Sequence, residues 1–206
     1  MESFGERLSK LMRSVGLTEK NLALLLNVSE QRVENLLTGY SEADLDVLVR
    51  VAEVFNVSYD YAAARSDDPE VHESSNSKEI FVAERISPYD GVIMQKDVVG
   101  TAFVDKSKMH GKEYFGFIMP DDSMVKARIL KNDTLIVRRQ NFANNGDVVI
   151  AVVDDGDAIV RTYNRTGNVV ILTCEGDGMK YRPIKIDTTE TKFSILGKVD
   201  EVRISF

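Results

Sequence analysis

Phe117-Ile118-Met119-Pro120-Asp121-Asp122-Ser123-Met124 is the stretch on which the reading of this chain turns. An apolar run of strand character ends at a proline and two carboxylates, and a serine follows. A serine between a strand end and a turn sits where a nucleophile is exposed to a substrate chain. The same serine equally suits a turn that caps the next short amphipathic piece, Val125 to Leu130. A Ser-Met pair does not separate the two, so the flanking sequence has to.

Downstream, Leu130-Lys131-Asn132-Asp133 reads as a turn into a strand, Thr134 to Val137. Asn145-Gly146-Asp147 leads into the apolar run Val148 to Val153, and Asp154-Asp155-Gly156-Asp157 leads into a further strand, Ala158 to Tyr163. In this order the motifs resemble the C-terminal domain of LexA and phage CI-type repressors, over about residues 80 to 206. Phe193 to Val199 is similar to that family's closing strands. The resemblance implies a mostly-β, self-cleaving serine peptidase domain with a Ser-Lys dyad, in which C-terminal strands pair across a dimer. The end of the chain, Lys198 to Phe206, alternates Val199, Val202, Ile204 and Phe206 with charge, and reads as an edge strand suited to that use.

Three departures fall on the same chemistry. The resemblance puts Ser123 at the nucleophile position and the general base 38 positions later, where the chain has Arg161. A lysine in an apolar pocket can lose its proton near neutral pH, whereas guanidinium groups stay charged and cannot accept one. The cleaved bond of the family, Ala-Gly, corresponds to Asp90-Gly91 in the loop Ser87 to Val92. An ionised Asp90 is costly to bury beside the serine. Asp121 stands where the family often has glycine. The expectation is a peptidase-like fold that has lost self-cleavage, and so not an enzyme. The alternative is an active self-peptidase with another lysine as base.

Composition narrows the classes. The chain has 206 residues, 43% hydrophobic and 29% charged, enough for one large domain or two small ones. No apolar run approaches the ~18 residues of a membrane helix, and Met1 to Arg7 lacks a signal-peptide pattern. The single cysteine, Cys174, excludes an intramolecular disulfide, fits a reducing bacterial cytoplasm, and reads as buried filler in the run Val169 to Cys174. His72 and His110 are isolated, so no metal site is expected, and no phosphate loop or other cofactor motif occurs.

Residues 1 to 64 read as five helices. Phe4, Leu8, Leu11 and Met12 mark one face of the first, ending near Gly16. Thr18 caps a second with Leu22, Ala23 and Leu26 inward; Ser29 caps a third with Val33, Leu36 and Leu37 inward, ended by Gly39. Leu45, Leu48, Val51, Ala52 and Phe55 mark a fourth, and Val57 to Tyr61 opens a fifth. The phrase Leu17 to Gly39 resembles the XRE/CI-repressor helix-turn-helix, with Asn27 where glycine is common in the turn and Glu19 where glutamine commonly touches phosphate. Asparagine tolerates a left-handed turn. A carboxylate at 19 would repel phosphate. The resemblance implies that Glu30, Gln31, Arg32 and Asn35, after the Ser29 cap, face base edges: arginine for guanine, the amides for adenine, the carboxylate for cytosine. Lys20, Thr38 and Tyr40 would meet phosphates.

Charge qualifies this picture. The net charge is −7, residues 1 to 40 are neutral, and residues 41 to 64 hold one arginine against five carboxylates. A neutral reading face attracts phosphate weakly, so a dimer on paired half-sites is expected. Residues 65 to 80 are polar, acidic and serine-rich and read as a linker. The expected protein is therefore multidomain α + β. A helix-turn-helix domain spans 1–64, a linker 65–80, and a mostly-β LexA/CI peptidase-like domain 81–206 that forms a homodimer or higher oligomer. Operator DNA is the expected partner, with a separate antirepressor as inducer if self-cleavage is lost, and no membrane. A helix-turn-helix that holds a protein instead of DNA is the other class, on the evidence of Glu19, Glu30 and Glu34.

Overall fold

The computed structural model describes residues 2–70, 76–87, 93–154, 156–178 and 180–204. They fall into two compact units. One comprises residues 1–81 with 93–104, the other 82–92 with 105–206.

The first unit holds α1 (Phe4–Val15), α2 (Glu19–Leu26), α3 (Glu30–Leu37), α4 (Leu45–Phe55) and the short α5 (Tyr59–Ala62). Each begins at a side-chain cap: Ser3, Thr18, Ser29, Asp44 and Ser58 accept from the N–H three residues on. These caps satisfy donors that the first helical turn leaves unpaired. Ser3 and Glu6 complete a capping box. Gly16, Asn27 and Asn56 close α1, α2 and α4 in the left-handed conformation. Leu8, Leu22, Leu36, Leu48 and Val51 form the fully buried centre, while Leu37 and Phe55 are only half-buried. Gly5 is required by a close approach, since a Cβ there would stand 2.5 Å from the Leu37 carbonyl oxygen.

Residues 65–70 do not behave as linker. Arg7 is buried on α1 and stacks on the Tyr61 ring at 3.9 Å. Its guanidinium donates to Ser66 O at 2.9 Å, Tyr61 O at 3.1 Å, Asp67 at 2.9 Å and Glu2 at 2.6 Å. The Ser58 N–H donates to Pro69 O and its hydroxyl to Asp68 O. A polar stretch satisfied by distant donors has the same composition as a solvated one, which is why the sequence reads as linker. The same unit contains the neighbouring strands β1 (Ser77–Ala83, to Phe81) and β2 (Val98–Asp105, to Val104). Phe81 stacks on Tyr59 at 4.7 Å, and buried Glu79 accepts from the Tyr59 N–H. Residues 93–104, expected in the β domain, thus belong with the helices.

The second unit holds α6 (Lys106–Met109) and the strands β3 (Tyr114–Ile118), β4 (Thr134–Arg139), β5 (Val148–Val153), β6 (Ile159–Thr166), β7 (Val169–Thr173), β8 (Ile184–Asp187) and β9 (Phe193–Arg203). Val82 and Ala83 run parallel to β3, and the order continues β3-β4-β9-β5-β6-β7-β8, all antiparallel. Gly146 and Gly167 turn with positive φ where the sequence places Asn-Gly and Thr-Gly turns. A core of Val149, Ala151, Tyr163, Val170, Leu172, Ile186 and Ile195 fills one face.

β9 meets the edge-strand expectation only beyond Lys198. Its residues 197–203 pair with β4 and 193–198 with β5, so the strand is flanked on both sides at Gly197 and Lys198 and paired on the β4 side alone from Val199 to Arg203. The three-residue step from Val199 to Val202 is a bulge: Ile136 opposes Glu201 and Val137 opposes Val199, leaving Asp200 extra. Asp200 accepts from Tyr114 Oη at 2.8 Å and from Arg138 at 3.2 Å. Burial first, then the bond to Asp200, pushes the Tyr114 hydroxyl up to about 12.

Candidate functional site

β3 delivers the chain to the turn that holds Ser123. The Met119 N–H donates to Asp133 O, and the Asp121 carboxylate accepts from the Ser123 N–H at 2.9 Å, so the turn is fixed at both ends. Met119, Ser123 and Met124 are fully buried, and Met124 O receives the N–H groups of Ala127 and Ile129 in the short 3₁₀ turn Val125–Ala127. Gly176 packs on this turn; a Cβ there would lie 2.9 Å from the carbonyl oxygens of Asp122 and Ser123. The serine is thus enclosed, at 0% exposure, and not presented to a substrate chain as the sequence reading expects.

Arg161 approaches from β6, opposite Val149 of β5. Its Nη1 donates to Ser123 Oγ and to Val160 O, both at 2.6 Å. The two residues that the resemblance pairs, 38 positions apart, therefore do meet. Arg161 is 7% exposed, its Cζ lies 6.0 Å from the centroid of the Tyr181 ring, and its Nε is buried with no hydrogen-bond partner. The Tyr181 hydroxyl accepts from the Asp122 N–H at 3.3 Å, and the Tyr181 carbonyl accepts from Cys174 Sγ at 2.8 Å. Cys174 is half-buried, not core filler. Tyr181 and Gly176 carry no signal in the sequence beyond a glycine-bearing turn; only the fold brings them to Ser123. Asp90 and Gly91 lie outside the described residues.

Two lysines of the same unit, Lys180 and Lys198, are held as cations. Lys180 stands 5.0 Å from the Tyr181 ring centroid. Its ammonium is held above its usual pKa, first by the bond to Tyr181 and its charge, then by Asp122 and Asp121. A general base at serine needs the opposite shift. Lys198 is committed to Asp147 at 2.7 Å.

Residues 80–200 match the Peptidase S24-like family. The chain belongs to that family. Within the S24-like region the Ser123 turn, β4, β5 and β6 are the elements just described, and residues 8–61 match the Helix-turn-helix family. The LexA repressor of Petrotoga mobilis is 29% identical over 136 residues, covering 60% of this chain and 64% of the relative. The LexA repressor of Citrifermentans bemidjiense is 36% identical over 104 residues, half of each chain. That of Shewanella oneidensis is 33% identical over 128 residues, 62% of this chain and 61% of the relative. The match spans less than two thirds of each relative's length. No helix among the described residues is long and apolar enough to cross a membrane.

The helix-turn-helix presents its expected residues unevenly. Lys20, Glu30, Gln31, Thr38 and Tyr40 are exposed, and Arg32 and Asn35 are half-buried. Ser29 is occupied as the cap of α3 through the Arg32 N–H. Gln31 Nε2 donates to Glu34 and Asn35, and Thr38 Oγ1 donates to Glu34 O. Arg32 Nη2 donates to Glu42 O at 2.9 Å and lies 3.6 Å from Asp44. The arginine expected to read guanine is thus tied to the start of α4.

Proposed function

We propose that this chain is a sequence-specific DNA-binding transcriptional repressor of phage CI type whose S24-like region dimerises and has lost self-cleavage. The observation that carries the loss is the 2.6 Å bond from Arg161 Nη1 to Ser123 Oγ. A group that donates to the serine oxygen and keeps its own proton cannot remove the serine's. Burial of Ser123 supports the same reading.

The Helix-turn-helix match supports DNA as partner. In this reading α3 enters the major groove, with Glu30, Gln31 and Asn35 at base edges and Lys20, Thr38 and Tyr40 at phosphates. Arg32 reaches a base after leaving Glu42. A dimer through residues 81–206 spaces two half-sites roughly 34 Å apart or a multiple of it. Beyond Lys198 the β5 ladder ends, so residues 199–203, paired on the β4 side, suit a partner strand. The protein works in the bacterial cytoplasm, and an antirepressor protein, not cleavage, relieves repression.

Footprinting on DNA flanking the protein's own gene, across a salt series, tests the repressor; paired protection that weakens steeply with salt is expected. Incubation with activated RecA tests the loss. An intact mass is expected, and a fragment ending near Asp90 overturns it. The tie of Arg32 to Glu42 and Asp44 favours one second reading, a helix-turn-helix that holds a protein. Unchanged operator binding by R32E would select it.

A further inference from the structure

Two residues of the α3–α4 connection hold Arg32, the arginine expected to read a base. Its Nη2 donates to Glu42 O at 2.9 Å and lies 3.6 Å from Asp44 Oδ2. Asp44 is fixed in turn through Oδ1, which caps α4 by accepting the Val47 N–H. The connection does not stand alone, because residues 93–96 of the same unit lie along it. The Leu45 N–H donates to Ile93 O at 2.8 Å and the Gln95 N–H to Ala43 O at 2.9 Å. Between these two bonds Asp44 and Met94 pair as an antiparallel bridge. Lys96 stands 3.3 Å from Glu42, and Ile93, Ala43 and Leu45 are buried. The Leu45 N–H is a donor that the first turn of α4 leaves open, and the Ala43 carbonyl needs a donor too, so the pairing satisfies both. The contacts thus fall on either side of Asp44 and on Glu42, the residues that hold Arg32.

We infer that Ile93–Lys96 is a strap that holds the recognition arginine back from DNA. Docked, it fixes Glu42 and Asp44 where they take the guanidinium; displaced, it leaves Arg32 free to extend to a base edge. The inference rests on the DNA-reading function proposed above. A hydrogen bond to a carbonyl and a half-exposed ion pair are individually weak, so the tie withholds about three- to tenfold in operator affinity. A site whose base Arg32 does not contact leaves the tie intact and loses nothing. The strap therefore lowers affinity only where Arg32 reads.

Q95P in the full-length protein removes the Gln95 N–H without changing charge. Met94, extended at φ −91° and ψ 154°, already has the backbone that precedes proline. K96E displaces the strap by a second route, setting like charges at Glu42. Q95A keeps the N–H and loses only the side-chain bond to Ala63 O. The heteronuclear NOE of the Arg32 Nε–H, assigned by its loss in R32K, is expected to fall in Q95P and K96E and to keep its wild-type value in Q95A. Operator binding by Q95P is expected to tighten about three- to tenfold, and the gain to vanish when R32A and R32A/Q95P are compared. Arg32 as ordered in both Q95P and K96E as in the wild type overturns the strap, and so does Arg32 released with no gain in affinity. Operator bound by neither wild type nor Q95P, with Arg32 released, sinks the DNA-reading function and the strap's role with it; operator bound while Arg32 stays held in both variants sinks the strap alone.

Discussion

Arg161 donates from Nη1 to Ser123 Oγ at 2.6 Å, across 38 residues of sequence and between a β6 residue and the turn after β3. The bond occupies the serine with a cation. Restoring a titratable base should therefore restore chemistry. R161K combined with D90A is expected to yield a fragment on mildly alkaline incubation, faster as pH rises and lysine deprotonates. S123A on that background should abolish it. The wild type should remain intact throughout by mass spectrometry.

Arg7 and Asp67 are joined at 2.9 Å, yet their substitutions should differ greatly. The Asp67 side chain is fully exposed, so D67A should cost less than about 1 kcal/mol. Arg7 is buried and also satisfies Glu2, Tyr61 O and Ser66 O. R7A should cost about 3–5 kcal/mol, as the loss of a buried, paired charge does. Denaturant unfolding of both variants, followed by helical signal, decides it.

Asp147 binds Lys198 at 2.7 Å with both residues half-buried. Burial alone would raise its pKa, but the Lys198 bond, the Asn144 N–H and the charges of Lys198 and Arg138 together outweigh it and hold the carboxyl low. A carboxyl depressed in the folded state stabilises fully above its unfolded value of about 3.9 and loses that contribution as pH falls through the folded value. D147N should cost about 1–3 kcal/mol at neutral pH. It should also flatten the acid limb of the stability curve, measured by denaturation from neutral pH to about pH 3.

Lys20 and Asn35 should separate affinity from sequence preference on operator DNA. Loss of a phosphate contact in K20A should weaken binding evenly across sequences and lower the salt slope by about 1. N35A should instead relax preference at one base pair, at a cost of about 1–3 kcal/mol. Equal losses of both kinds in both variants would contradict the groove assignment.

Much of the helical unit is legible because its rules are local. The caps Thr18 and Ser29, the left-handed Asn27 and the buried faces of α1 to α4 depend on residues within a turn or two. The runs that become β5 and β6 are bounded by turn residues in the same way. The spacing of Ser123 and Arg161 was legible only through the family resemblance.

The sequence by itself determined the two kinds of unit and the helix ends, and through the family resemblance it paired Ser123 with Arg161. The tertiary structure decided that Ser123 is enclosed, that Tyr181 and Gly176 stand beside its turn and Arg161, that Ser66 and Asp67 fold back onto Arg7, and that β9 pairs with both β4 and β5 and is bulged at Asp200. Each of these depends on which distant group satisfies a buried donor or fills a gap. Periodicity and capping act over a few residues, whereas a buried guanidinium takes its acceptors from wherever the fold brings them.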